Sequence, residues 1–164
     1  FRSFERAYQM LTQVAGRAGR SGEGARGKVI IQTFSADHWL LHHVVDHDQE
    51  ALARRELVER QTYSYPPFVR MVRLTLRHGD VQRVDAGAGV LAARLQQRFG
   101  ERVLGPVTPA LSRINDQPIR QITLKFERSL APSQYRPLLQ ADLDEFGADA
   151  RWKRLRVKVD VDPA

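Results

Sequence analysis

The chain has 164 residues, with 26 lysines and arginines against 19 aspartates and glutamates, a formal net charge of +7, and no cysteine. Without cysteine, neither disulfide bonds nor cysteine-ligated zinc can form within this sequence. No apolar run approaches the ~20 residues needed to cross a bilayer, and the absence of cysteine fits a reducing cytosol, so we expect a soluble, cytoplasmic protein that does not bind membranes. The first residue is Phe1 rather than Met, from which we expect a piece of a longer protein.

The positive charge is concentrated in the second part of the sequence. Residues 1–62 carry 9 basic and 8 acidic side chains, whereas residues 63–164 carry 17 basic and 11 acidic ones. An excess of this kind favours a polyanionic partner, most simply nucleic acid. A solvated arginine-rich surface would give the same count, and charge alone does not separate the two readings.

The first predicted elements are a helix and a strand joined by a glycine-rich connection. Apolar residues at helical spacing predict the helix over residues 3–18, with Ser3 as its N-cap. The connection occupies residues 21–27. The strand is predicted over residues 28–34, because KVIIQTF is short and rich in β-branched residues.

Several familiar site patterns are incomplete in this sequence. GEGARG, residues 22–27, matches G-x-G-x-x-G, but a helix precedes it and a strand follows, the reverse of a dinucleotide site. Two histidine pairs, His38 with His42 and His43 with His47, have ligand spacing on a helix. They point about 100° apart and lack an H-E-x-x-H pattern, so we expect no metal site. Neither a P-loop nor a G-x-S-x-G nucleophile elbow is present.

A second helical region is predicted over residues 37–63, with Asp37 as its cap. Its apolar stripe consists of Leu40, Leu41, Val44, Val45, Leu52, Leu57 and Val58. Pro66 and Pro67 forbid its continuation, and we place a domain boundary at SYPPF, residues 64–68.

The remainder predicts a split β-α-β sandwich. The predicted strands cover residues 69–77, 103–107, 119–127 and 154–161, the predicted helices cover 80–99 and 132–147, and NDQP at 115–118 is a turn. The order βαββαβ gives an α+β domain with a four-stranded sheet and both helices on one face.

Alternation along the strands separates a buried face from a basic face. The inward residues are Val72, Leu74 and Leu76, then Ile122, Leu124 and Phe126, and finally Leu155, Val157, Val159 and Val161. The opposite face is expected to contact nucleic-acid phosphates through Arg73, Arg77, Lys125, Arg154, Arg156 and Lys158. Few aromatic residues accompany them, so shape and charge should dominate over base sequence. Two alternatives remain open: a face kept soluble by charge, or a face that packs on other domains.

A short segment near the start, QVAGRAGR at residues 13–20, has two arginines three apart among small residues. The fork of an arginine matches phosphate oxygens, and glycines let another backbone come close. Arg17 and Arg20 therefore make sense as arginine fingers for a phosphate held by another domain. The alternative is a solvated basic helix end, which the helix dipole also favours.

This segment resembles motif VI of superfamily-two helicases, Q-x-x-G-R-x-G-R. Together with VIIQT, ERQTYSYPPF, VLGPVTPAL and VDVDP in the same order, the chain resembles the primosomal protein N′ family of replication-restart helicases. The resemblance implies a DNA-dependent ATPase that unwinds 3′ to 5′, binds branched DNA at stalled forks and helps reload the replicative helicase. It places Gln13, Gly16, Arg17 and Arg20 in the nucleotide cleft between two RecA-like lobes, with Arg20 as the finger.

The resemblance also implies a domain plan. Residues 1–35 would end the second helicase lobe, residues 36–64 would form a helical connector, and residues 65–164 would form a C-terminal DNA-binding or interaction domain. The family's Walker A segment, acidic magnesium box, cysteine-rich zinc insertion and N-terminal DNA-binding domain are absent from this sequence. ATP, magnesium and zinc are therefore expected in the full-length protein and not on this chain alone.

The implied partners are single-stranded and forked DNA, single-strand-binding protein and other primosome proteins. We expect this chain alone neither to hydrolyse ATP nor to unwind DNA, because the phosphate-holding lobe is missing. A different class of function is a docking module for the acidic tail of single-strand-binding protein or for other restart proteins.

Overall fold

A computed structural model describes residues 2–18 and 28–163 of the chain. Within these residues five α-helices and five strands occur, and the strands form one open antiparallel sheet in a mixed α+β fold. The chain divides into two units, Phe1–Tyr63 and Ser64–Ala164. None of the helices in the described part is both long and apolar enough to cross a membrane.

The first unit contains helices α1 (Ser3–Ala15), α2 (Trp39–Val45) and α3 (Gln49–Thr62). Its small core consists of the buried side chains of Tyr8, Leu40, Val44 and Leu52. The predicted first helix is confirmed, but it ends at Ala15, because Gly16 with its low helix propensity forms the C-cap. The prediction of Ser3 as N-cap is wrong: Ser3 is the first helical residue, and Arg2 precedes it without a side-chain cap bond.

The predicted continuous helix over residues 37–63 is instead two helices. His47 has a left-handed φ of 54°, which interrupts the helical backbone between α2 and α3. Asp48 then caps α3, because its Oδ1 accepts a backbone N–H of the first turn at 2.9 Å. The cap of α2 is His38, whose Nδ1 accepts a first-turn N–H at 3.2 Å, and not Asp37 as predicted.

The predicted strand over residues 28–34 is also wrong. This segment has no regular secondary structure, and its side chains Ile30 and Phe34 are exposed. A strand needs a neighbour for its backbone N–H and C=O groups, and no strand in the described part pairs with this segment. Val45, Leu57 and Val58, which were predicted in the apolar stripe, are likewise exposed.

The second unit contains the sheet and the two longest helices. Its elements are β1 (Val69–Arg77), α4 (Val81–Phe99), β2 (Val103–Val107), β3 (Arg113–Ile114), β4 (Gln117–Glu127), α5 (Pro132–Ala148) and β5 (Arg156–Val161). The strand order is β2-β4-β1-β5, with β3 paired to β4. The predicted order of four strands and two helices is confirmed. The short strand β3 was missed; Asn115 and Asp116, both with positive φ, join it to β4 in a two-residue turn.

The sheet forms one layer of the core, and helices α4 and α5 pack on one of its faces as the second layer. The inward residues predicted on β1 and β4 are buried, and the Phe126 ring lies against Phe99, edge-on at 5.5 Å, and Tyr135, stacked at 3.9 Å. On β5, Val159 and Val161 are about half exposed rather than buried. β5 is an edge strand, and a groove remains between it and α5.

A buried ion pair joins the two helices. Asp142 on α5 is 2% exposed and accepts hydrogen bonds from Arg98 on α4, at 2.6 Å from Nε and 3.0 Å from Nη2. The hydrogen bond to Asp142 and its charge raise the pKa of Arg98 above its ordinary value. A buried carboxylate needs such a partner, so the pair fixes how α4 meets α5.

Candidate nucleic-acid interface and arginine motif

The sheet face away from α4 and α5 is organised in rows by the cross-strand register. The first row is Leu104, Thr123, Arg73 and Asp160; the second is Val107, Gln121, Thr75 and Lys158; the third is Ile119, Arg77 and Arg156. Register partners in an antiparallel sheet share a face, so these side chains lie on one surface, here called the open face. The outward positions predicted by alternation on β1 and β4 are confirmed.

A basic cluster occupies one margin of the open face. Arg77 and Arg156 are direct cross-strand neighbours, and Lys158 lies two residues further along β5. We call these three residues the basic margin. Like charges placed opposite each other destabilise a sheet. No carboxylate in the described residues forms an ion pair with any of the three, so their charge is left unneutralised.

Two other predicted contacts have different surroundings. Arg73 lies on the open face, but its cross-strand neighbour is Asp160, whose negative charge offsets it. Arg154 is exposed and lies in a turn before β5, so the predicted strand began two residues too early. The turn forms because the backbone N–H of Leu155 donates to the carbonyl of Trp152 at 2.8 Å. The sheet register therefore does not orient Arg154.

The end of the open face near Lys125 is covered. The Lys125 ammonium lies 4.2 Å from the centre of the Tyr65 ring, and burial lowers the pKa of Lys125. Its register partner Met71 is 1% exposed. Reciprocal hydrogen bonds at 2.9 Å and 2.7 Å tie the backbone of Met71 to Asp162. Lys125 thus faces outward as predicted, but an aromatic ring stands over its charge.

The arginine motif lies at the end of α1 in the first unit. Gln13, Gly16 and Arg17 are exposed, and Arg17 follows the helix in a turn whose N–H donates to Val14 at 3.1 Å. Arg17 forms no ion pair with any residue in the described ranges. The structure therefore brings Gln13 and Arg17 to the same helix end. Arg20 lies outside the described residues.

Two of the four histidines of the first unit, His38 and His43, have structural roles, whereas His42 and His47 are exposed. His38 caps α2, and the rings of His38 and His43 pack on Trp39 at 5.4 Å and 5.8 Å. The guanidinium of Arg55 lies 4.0 Å from the centre of the same indole ring. Within the described residues no group of three or more His, Cys, Asp or Glu side chains is placed to hold a metal ion.

Sequence reasoning missed three features of this surface: the Tyr65 cover, the Asp162 bonds to Met71, and the exposed Leu104 and Val107 on β2. Only the last left a signal. The Gly-Pro pair inside VLGPV breaks the alternation of β2, and glycine within a strand often marks a bulge.

The fold and this surface define a class: an antiparallel α+β domain with two helices on one sheet face and an unneutralised basic margin on the other. Residues 61–164 match the family described as Primosomal protein N C-terminal domain. The chain belongs to this family.

Three curated relatives align with 99% of this chain, and each carries the name Replication restart protein PriA. The protein of Bacillus subtilis is 32% identical over 165 residues, that of Treponema pallidum 34% over 167, and that of Haemophilus influenzae 30% over 166. The alignments cover 20%, 24% and 22% of these relatives, so the chain spans about a fifth to a quarter of their length.

Proposed function

We propose that this chain is part of a replication-restart DNA helicase that acts at stalled or branched forks, and that the unit Ser64–Ala164 contacts DNA through its open face. Membership in the primosomal family and the names of its relatives support the restart role. The observation that carries the DNA contact is the basic margin, where Arg77 and Arg156 are cross-strand neighbours and form no ion pair with a carboxylate among the described residues. DNA phosphates would supply the missing negative charge. Their neutralisation by the basic margin would release cations condensed on the DNA, which favours binding.

The experiment is equilibrium binding of the chain to single-stranded and forked DNA across a salt series. The test variant is Arg156→Gln, and the matched control is Arg83→Gln, an exposed arginine on α4. Each phosphate contact contributes about −0.7 to the slope of log K against log salt on single strands. We expect Arg156→Gln to weaken binding and to flatten the slope by about one contact. The control should change neither.

Equal effects of both substitutions would show that only the overall charge matters. No binding by the wild-type chain at low salt would refute the DNA contact. The basic margin would then serve docking to other domains or proteins.

We also propose that residues 1–35 end a RecA-like motor lobe whose other parts lie outside this sequence, and that Arg17 and Arg20 reach the γ-phosphate of ATP. The exposure of Arg17 at the end of α1, with no ion pair to the residues that the structure describes, supports this role. The exposed apolar segment at residues 28–34 supports pairing with further strands. ATP and its magnesium ion would be held by residues outside this sequence, which lacks a P-loop, and the family's zinc would be as well.

The test of the motif requires the longer protein. Losing an arginine finger lowers turnover by about 10³-fold or more. We expect Arg17→Ala to abolish DNA-stimulated ATP hydrolysis while nucleotide binding persists, whereas the control Arg6→Ala, an exposed change on the same helix, leaves it intact. ATP hydrolysis by the chain alone would contradict the assignment.

A second candidate function is favoured by the groove between α5 and β5. It has a volume of about 370 Å³, an apolar lining that includes Leu139, Val159 and Val161, and Arg136 in its wall. An acidic peptide with apolar residues and a terminal carboxylate, such as the tail of single-strand-binding protein, matches this chemistry. A competition experiment tests whether such a peptide and DNA bind the same surface. Displacement of DNA by the peptide would indicate a shared surface, and simultaneous binding would indicate two separate ones. Peptide binding that Arg136→Gln leaves unchanged would exclude the groove.

A further inference from the structure

The open face has an apolar margin opposite its basic margin. Leu104 and Val107 on β2 are 48% and 54% exposed, and they begin the same rows that end in Asp160 and Lys158 on β5. We call Leu104 and Val107 the apolar margin. Exposed aliphatic side chains on a strand next to a charged surface favour a ligand that is itself amphipathic.

An irregularity in β2 creates this margin. Residues three apart on a regular strand point to opposite faces, yet Leu104 pairs with Thr123 and Val107 with Gln121, both on the open face. The register shifts between Leu104 and Val107, at Gly105, whose φ is +102°. Bulges of this kind re-aim side chains next to functional sites. The local geometry therefore turns a second apolar side chain outward instead of into the core.

The distance across the face suits one nucleic-acid strand. β2 and β5 are separated by three interstrand steps, about 14 Å in all. Between β2 and β5 lie the uncharged polar side chains of Thr75, Gln121 and Thr123, together with Arg73, whose cross-strand neighbour is Asp160. An unpaired nucleotide has a charged phosphate at one end and an apolar base face at the other. In a duplex the bases are stacked and paired, so their faces are not available to a protein surface.

We propose that the apolar margin is a base-contact site for single-stranded DNA. The phosphates lie over the basic margin, and the base faces pack on Leu104 and Val107. This inference rests on the DNA contact proposed for the same face. It adds a subsite for unpaired bases and a preference for single strands over duplex. Lys158 of the basic margin lies on the same row as Val107, and Arg77 and Arg156 lie on the next row. Positive charge on this face favours a strand with phosphates over an apolar protein segment, which brings no charge to neutralise it.

The test compares an intact single-stranded oligonucleotide with an abasic one of the same length, using the 164-residue chain. The abasic strand keeps the phosphates and lacks the bases. The apolar-margin variant is Leu104→Ser with Val107→Ser, and the basic-margin variant is Arg156→Gln with Lys158→Gln. A control, Val90→Ser, removes a similarly exposed valine from α4.

We expect the apolar-margin variant to bind the intact strand about fivefold more weakly. Replacing the two aliphatic side chains with serine removes roughly half of the apolar surface that they would bury against the bases. Its affinity for the abasic strand should equal that of the wild type. The basic-margin variant should lose affinity for both strands. Leu104→Met, which keeps the apolar surface, should bind the intact strand like the wild type, and Val90→Ser should have no effect.

Two results would overturn the inference. Equal losses of the apolar-margin variant on both strands, or no loss on either, would remove the base contact. If the basic-margin variant still loses affinity, the DNA contact survives and only the subsite fails. If neither margin affects binding, the proposed DNA contact fails with it.

Discussion

Replacing Gly105 tests the irregular backbone of β2 and its close approach to β4. An alanine there would adopt a φ of +102°, which is strained for L-residues by about 1–2 kcal/mol. Its Cβ would also lie 2.7 Å from the carbonyl oxygen of Gln121 and 3.2 Å from the amide nitrogen of Val107. Backbone shifts that relieve such contacts cost about 1–3 kcal/mol. Gly105→Ala should therefore lower the free energy of unfolding by about 2–5 kcal/mol.

The assay is urea and thermal unfolding of the 164-residue chain, with binding of intact single-stranded DNA as a second readout. In a unit of this size each kcal/mol shifts Tm by about 4–8 °C, so a fall of more than about 8 °C is expected. The control is Gly89→Ala on α4, where a Cβ meets nothing within 4 Å and alanine is the better helix former by about 1 kcal/mol. If Gly105→Ala melted with the wild type, β2 would not have the close approach to β4 described above.

Three further predictions concern separate parts of the molecule. Lys125→Met should weaken binding to single-stranded DNA less than Lys158→Met does, because the Lys125 ammonium is covered; equal losses in a titration would contradict this. The hydrogen bond from Arg102, at 2.9 Å, lowers the pKa of Glu127, so this stabilisation is present above the ordinary glutamate pKa and disappears as the pH falls through the lowered value. Arg102→Gln should therefore reduce the free energy of unfolding at pH 7 by less than about 1 kcal/mol, with no deficit at acid pH; a pH-independent deficit in urea unfolding would disprove the linkage. Asp48→Ala removes the N-cap of α3 and should destabilise the helix by about 1 kcal/mol, seen as faster amide exchange in its first turn; unchanged exchange would refute the cap.

The second unit was predicted well because its elements carry strong local patterns. The alternation of β1 and the helical periodicity of α4 extend over 9 and 19 residues, long enough to fix both the element and its buried face. The two-residue strand β3 has no pattern of its own and exists only by pairing with β4. The segment at 28–34 shows the reverse case: its β-branched composition is favourable, but a strand forms only with a partner.

The residues of the open face were predicted only on strands where inward and outward side chains alternate regularly. The basic residues of β1 and β5 followed from a period of two. The apolar margin did not, because a register shift at Gly105 changes the face on which Val107 lies. The Tyr65 ring over Lys125 joins residues far apart in sequence, and the Arg98–Asp142 pair joins residues 44 positions apart. Contacts at such separations depend on the finished fold.

The position of β5 in the chain has a consequence for synthesis. This strand follows every other strand of the sheet in sequence, yet it supplies Arg156 and Lys158, two of the three basic-margin residues. A nascent chain emerges from the ribosome N-terminus first, so the helices and the other strands are made before these two charges appear. A product interrupted before β5 would expose β1 as a sheet edge and retain only Arg77 of the cluster. The basic margin, and with it the DNA contact proposed for this face, would thus be complete only in molecules whose translation has passed β5.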